Sequence, residues 1–140
     1  ALVMAKAALD RLELDLETVD VLDAGVVIPQ VGQGALAVEC RVDRPDLVEM
    51  LAGIEHSTTR RELEAERGFL LELGGDCDLP AGAHATSSSD GALELTAVLC
   101  SSDERRLERV TVRTSDRAGS DIGDEELGRE AARRLVALLP

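Results

Sequence analysis

Aromatic residues are all but missing: Phe69 is the single one in 140 residues, with no Trp and no Tyr. The core must therefore be aliphatic, built from Leu, Val, Ile and Ala, and base stacking on aromatic rings is excluded as a binding mode. Positive charge is scarce as well. Fifteen Lys and Arg stand against 28 Asp and Glu, a formal net charge of −13. Such a surface repels the phosphates that nucleic-acid-binding proteins neutralise with Lys and Arg, so no nucleic acid is expected as a partner. No apolar run is long enough to span a bilayer, because the opening Ala1–Ala5 stretch breaks at Lys6. That stretch also lacks the basic start and cleavage pattern of a signal peptide, so no membrane partner and a cytoplasmic location are expected. The three cysteines, at 40, 77 and 100, are too few, odd and widely spaced for a disulfide framework or a zinc site. P-loop, GxGxxG and nucleophile-elbow motifs are absent, and no metal site is expected.

What remains is 44% hydrophobic and 31% charged, a globular composition with length for one ordinary core. The chain opens in the middle of an apolar, helical-looking stretch, without Met and without a capping residue. We therefore expect a fragment whose upstream part is missing.

Residues 1–12 read as the end of a helix, followed by an acidic loop to Asp23. Val26–Ile28 is a short apolar run that stops at Pro29. The glycine-flanked turn Val31–Ala35 leads into 36–40, where Leu36, Val38 and Cys40 alternate onto one face and predict a strand. Pro45 suits the first turn of a short helix ending at Gly53. The next helix has Thr59 and Glu62 as a capping-box pair and Gly74 as its stop. Leu63, Phe69, Leu70, Leu71 and Leu73 share its apolar arc, and Glu66 and Arg67 fall inside it. An arginine there needs a partner or an adjacent polar cleft, since an unpaired buried charge is costly. Beyond residue 80 the period changes to two: 81–86, 92–100 and 106–114 are strands joined by Ser/Asp-rich turns, and 124–139 is a final helix with an acidic start. The fold class is α+β: a three-stranded antiparallel sheet with helices on one face, preceded by the tail of an α/β domain.

Candidates for chemistry are few. His56 and His84 stand alone and read as capping or surface histidines. Gly32-Gln33-Gly34 has the composition of an anion-binding turn. Cys77 lies in a tight loop between a helix and the sheet, where functional residues are often presented; the plain alternative is a small residue plugging that loop. A generic thiolate does not suit the place. Cys77 follows a helix C-terminus and is flanked by Asp76 and Asp78, and both features disfavour ionisation.

Several segments in sequence are nonetheless familiar. Pro29-Gln30-Val31-Gly32-Gln33-Gly34-Ala35 is followed by Glu39-Cys40-Arg41, His56-Ser57-Thr58-Thr59, Ala65-Glu66-Arg67-Gly68-Phe69 and Leu73-Gly74-Gly75-Asp76-Cys77-Asp78-Leu79-Pro80-Ala81-Gly82. In this order and spacing they resemble the porphobilinogen deaminases (hydroxymethylbilane synthases), which carry P-A-V-G-Q-G-A, E-C-R, H-x-x-T, A-E-R-x-F/M and L-E-G-G-C-x-V/A-P-V/I-G. The resemblance covers the whole chain. It departs at Gln30, in place of a small residue, at Gly74, in place of Glu, and at Asp76, in place of Gly.

The resemblance implies a transferase of tetrapyrrole biosynthesis that joins four porphobilinogen units into hydroxymethylbilane, losing ammonia each time. Growth occurs on a dipyrromethane cofactor held by a thioether to Cys77, whose formation on an electrophilic pyrrole tolerates a neutral thiol. Gln33, Ala35 and Gly75 join Cys77 as cofactor-binding residues. Residues 1–44 would be the tail of the second domain and a strand or connection returning to the first; 45–140 would be the C-terminal, cofactor-carrying domain. The catalytic aspartate and most substrate-binding arginines would lie upstream, leaving no catalytic residue here and an inactive fragment. The full-length enzyme would be a monomer that uses porphobilinogen and needs its upstream domains as partners. Arg67 would pair across a domain boundary, as a structural residue. The rival readings are a stand-alone α+β interaction module and a thiol sensor.

Overall fold

In a computed structural model, the structure describes residues 2–14, 16, 18–75, 79–103, 105–114 and 123–139. Its elements run α1 (Lys6–Arg11), α2 (Pro45–Ala52), α3 (Ser57–Glu72), β1 (Ala81–Ser87), β2 (Leu93–Cys100), β3 (Leu107–Arg113) and α4 (Asp124–Leu138). The strands form one antiparallel sheet in the order β1-β2-β3. Strict alternation makes the sheet two-faced. Leu93, Leu95, Ala97 and Leu99 of β2 are buried, flanked by Ala83 and Ala85 of β1 and by Val112 of β3. Helices α3 and α4 close the core with Ala65, Phe69, Leu127, Ala131, Ala132 and Leu135. The α+β layer expected from the sequence is the one observed.

Small residues set how near the two helices come. A Cβ built on Gly68 would lie 2.0 Å from the Glu125 carbonyl oxygen, and one on Gly128 would lie 1.9 Å from that of Ala65. The backbones thus touch where α3 crosses α4. Glycine in a helix interior costs about 1 kcal/mol relative to Ala, and here that cost is offset by close packing. A fork from Arg61 to Asp124, at 2.8 and 3.1 Å, joins the starts of the same two helices.

Strand β1 lies at the edge of the sheet, and the outward N–H groups of alternate residues are all occupied. Ala83 N–H donates to the Pro29 carbonyl at 3.1 Å. Ala85 N–H donates to Glu66 Oε1 at 3.0 Å, and Ser87 N–H to Glu62 Oε1 at 2.9 Å. Glu62 and Glu66 are one helical turn apart on α3, so both reach the same edge. Gly82 permits the approach of the preceding segment: a Cβ there would meet the Pro29 oxygen at 2.8 Å.

Four local expectations are corrected. The α3 cap is His56, which accepts from Thr59 N–H at 3.3 Å, and Glu62 is spent on Ser87 rather than on a capping box. Residues 36–40 form no strand: a ladder needs a partner, none of the three strands offers one, and Leu36 is 78% exposed. Leu71 is exposed because the buried stripe of α3 runs through Ala65, Gly68 and Phe69. Glu66 and Arg67 do not share one environment as their common arc suggested: Glu66 is only 7% exposed, whereas Arg67 is exposed on this chain, and its expected partner across a domain boundary lies outside it.

Two substitutions separate these effects. Gly128→Ala should lower the unfolding midpoint, because overpacking against backbone costs about 1–3 kcal/mol and outweighs the roughly 1 kcal/mol gained in helix propensity. Arg67→Ala should shift stability by no more than about 1 kcal/mol, the range for an exposed charge. It should not show the roughly 3–5 kcal/mol typical of breaking a buried pair. Thermal unfolding of the two variants beside the parent chain measures both.

Candidate functional site

The turn that carries Gln33 and Ala35 is built from its own backbone. Gln33 N–H donates to the Gln30 carbonyl at 3.0 Å, and Ala35 N–H to the Gly32 carbonyl at 3.1 Å. Gly32 and Gly34 take φ values of 73° and 87°, a left-handed region open to glycine at little cost. Gly32 N–H points inward and donates to Glu66 Oε2 at 2.8 Å. One N–H of the turn is thus spent on an internal carboxylate.

Gln33, Gly34 and Ala35 form one wall of an open cleft of about 210 Å³. Thr59, Glu62, Leu63 and Glu66 of α3 and His84 and Ala85 of β1 form the rest. His84 is half-exposed on β1, with Nδ1 3.7 Å from Glu66 Oε1. Its reading as a surface histidine holds, and His56 is the capping one. The lining has two carboxylates and no Lys or Arg, so this wall offers no cation to an anionic ligand. The sequence reading missed Thr59, Glu62, Glu66 and His84 as lining residues. Glu62 and Glu66 carried a signal, a pair of acids four apart with one inside an apolar arc; His84 carried none.

Gly75 is not brought to this cleft. It follows the far end of α3, and the six residue steps from Glu66 to Glu72 alone span about 9 Å of helix. There Gly75 N–H donates to the Leu70 carbonyl at 2.8 Å and Gly74 N–H to that of Leu71 at 3.2 Å. This is the paired Schellman closure, with φ of 106° and 70° at the two glycines. A Cβ on either glycine would meet nothing within 4 Å among the described residues.

Cys77, the expected attachment point, lies with Asp76 and Asp78 outside the described residues. Its flanks are fixed. Gly75 is tied to α3, and on the other side Pro80 accepts from Cys100 N–H at 2.9 Å. Cys40 and Cys100 are free, half-buried thiols. Among the described residues no group of His, Cys, Asp and Glu could hold a metal ion, and no helix is long and apolar enough to cross a membrane.

Comparison with known proteins shows the family. The family model described as "Porphobilinogen deaminase, C-terminal domain" matches residues 61–137. The one described as "Porphobilinogen deaminase, dipyromethane cofactor binding domain" matches residues 1–49. The porphobilinogen deaminases of Bacillus thuringiensis subsp. konkukian (strain 97-27), Bacillus cereus (strain AH820) and Bacillus anthracis are each 42% identical over 137 residues. The match takes in 97% of this chain and 42% of each relative, so the chain spans about two fifths of their length. The chain belongs to the porphobilinogen deaminase family.

Proposed function

We propose that this chain is the C-terminal part of an enzyme that condenses four porphobilinogen units into hydroxymethylbilane, with Cys77 bearing a dipyrromethane cofactor. One observation carries the reading: both parts of the family match in order on one chain, and the cysteine of the family's loop motif stands between two fixed flanks. A stand-alone interaction module or a thiol sensor accounts for neither.

The residues present suit such a group. Thioether formation needs an accessible sulfur, and among the described residues nothing lies within 4 Å of a Cβ built on Gly74 or Gly75, the glycines that precede the cysteine in sequence. Gln33 and Ala35 offer an uncharged wall with an amide whose oxygen can accept from a pyrrole N–H. When bound, the dipyrromethane supplies the pyrrole end on which the chain grows. This chain's part is to hold and orient it: Cys77 by a covalent bond, Gln33 and Ala35 across the cleft. Gly75 contributes by turning the backbone out of α3 rather than by lining that wall.

Pyrrole carboxylates need cations, and the cleft lining has none. Those cations, and the acid-base group for the condensation, belong to the upstream part of the enzyme, which is this chain's partner. We place residues 1–44 with the second domain and its return to the first, and 45–140 in the third. The full-length enzyme is read as a cytoplasmic monomer.

Two measurements test this. The full-length enzyme should carry two condensed pyrrole units by intact-mass spectrometry, and peptide mapping should place them on Cys77. An adduct on Cys40 or Cys100, or none, overturns the assignment. The 140-residue chain alone should consume no porphobilinogen, because neither positioning nor proton transfer is complete; measurable consumption contradicts the division of labour.

A further inference from the structure

Residues 30–35 and strand β1 are some fifty positions apart in the chain, yet one side chain holds both. Glu66 Oε2 accepts from Gly32 N–H at 2.8 Å and Oε1 from Ala85 N–H at 3.0 Å. We propose that Glu66 is a positioning residue: its buried carboxylate sets the Gln33–Ala35 wall of the cofactor cleft relative to the helix that leads to Cys77. The inference rests on the reading of Gln33, Ala35 and Cys77 as cofactor contacts.

The chemistry demands a carboxylate. Two N–H donors converge from different segments, and each needs an acceptor oxygen. Glutamine offers one oxygen and one NH₂ group, so it must set a donor against a donor at Gly32 or at Ala85. Aspartate is a methylene shorter and cannot reach both. The other bonds of the turn are internal to it, from Gln33 to Gln30 and from Ala35 to Gly32. Loss of the Glu66 bond therefore leaves the wall held, among the described residues, by the Pro29 carbonyl, which accepts from Ala83 N–H, and by Val31 packed against the core.

Glu62 provides the control. It is one turn earlier on α3 and its carboxylate accepts from Ser87 N–H on the same strand edge, but it makes no hydrogen bond to the turn. A purely structural loss of edge bonding is common to both glutamates; loosening of the 30–35 wall is specific to Glu66. A second route to the same joint is Gly32→Ala. Its Cβ has room, the nearest atom being Leu63 Cδ2 at 3.7 Å, but φ of 73° strains an alanine. That variant leaves the Ala85 bond in place if Glu66→Gln folds poorly.

The test uses the full-length enzyme. Amide hydrogen exchange is followed in peptides covering 30–35 and 83–87, and adduct formation on the apoenzyme is timed by intact mass after porphobilinogen is added. Glu66→Gln and Gly32→Ala should each speed exchange in 30–35 at least tenfold and slow adduct formation at least fivefold. Glu62→Gln should speed exchange at Ser87 and leave 30–35 as in the parent. Unchanged exchange in 30–35 for Glu66→Gln and Gly32→Ala overturns the proposal. Faster exchange with adduct formation at the parent rate also overturns it, while the Cys77 assignment stands. A parent enzyme without an adduct on Cys77 removes the underlying reading, and the proposal with it.

Discussion

The occupied edge of β1 is the constraint on which the rest of the arrangement depends. Three backbone N–H groups leave the sheet at Ala83, Ala85 and Ser87, and each must find an acceptor or be left partly buried without one. Pro29, Glu66 and Glu62 supply those acceptors. Two of the three are glutamate side chains, each reaching across from α3. The edge is thereby welded to α3 on one side and to the segment before the Gly32 turn on the other. Without that joint the N-terminal residues would have little hold on the layer, since most of their large apolar side chains are exposed.

The opposite side of α3 is held by backbone contact, with the Arg61–Asp124 fork at its start. Gly68 and Gly128 let the backbones of α3 and α4 meet, and Phe69 fills the core beside them. One helix therefore has three tasks. It packs on α4 through small residues, seals the sheet edge through acids, and delivers the chain at Gly74 and Gly75 into the segment that holds Cys77. The near absence of aromatic residues suits this plan, because the spacing is set by glycine and alanine.

Much of this was legible in the sequence, for reasons that differ by residue. The strands declared themselves through period two, and α2 and α4 through Pro45, Gly53 and the acidic start at Asp124. Segment 36–40 had the same alternation and no ladder, because pairing is a property of two segments and only one was visible. The family and its site loop were readable because glycine, cysteine and proline constrain a backbone locally. Glu66 and Arg67 both fall in the apolar arc of α3, and only the contacts decide which of them is buried. The role of Glu66 depends on donors 34 residues upstream and 19 downstream, a convergence that no local pattern encodes. Gly68 and Gly128 did carry a hint, since glycine within a helix invites a packing explanation.

The sealed edge of β1 also governs how this sheet meets other chains. An unpaired edge is a template for strand exchange and fibril growth. Here an invading strand would have to displace the carbonyl of Pro29 and two carboxylates. Its own carbonyls could replace the lost acceptors, but Glu66 would then be a desolvated anion without its N–H donors, a costly state. Glu66, which fastens the cleft wall to the sheet, and Glu62 beside it thus act as a barrier to domain swapping and cross-β assembly along β1.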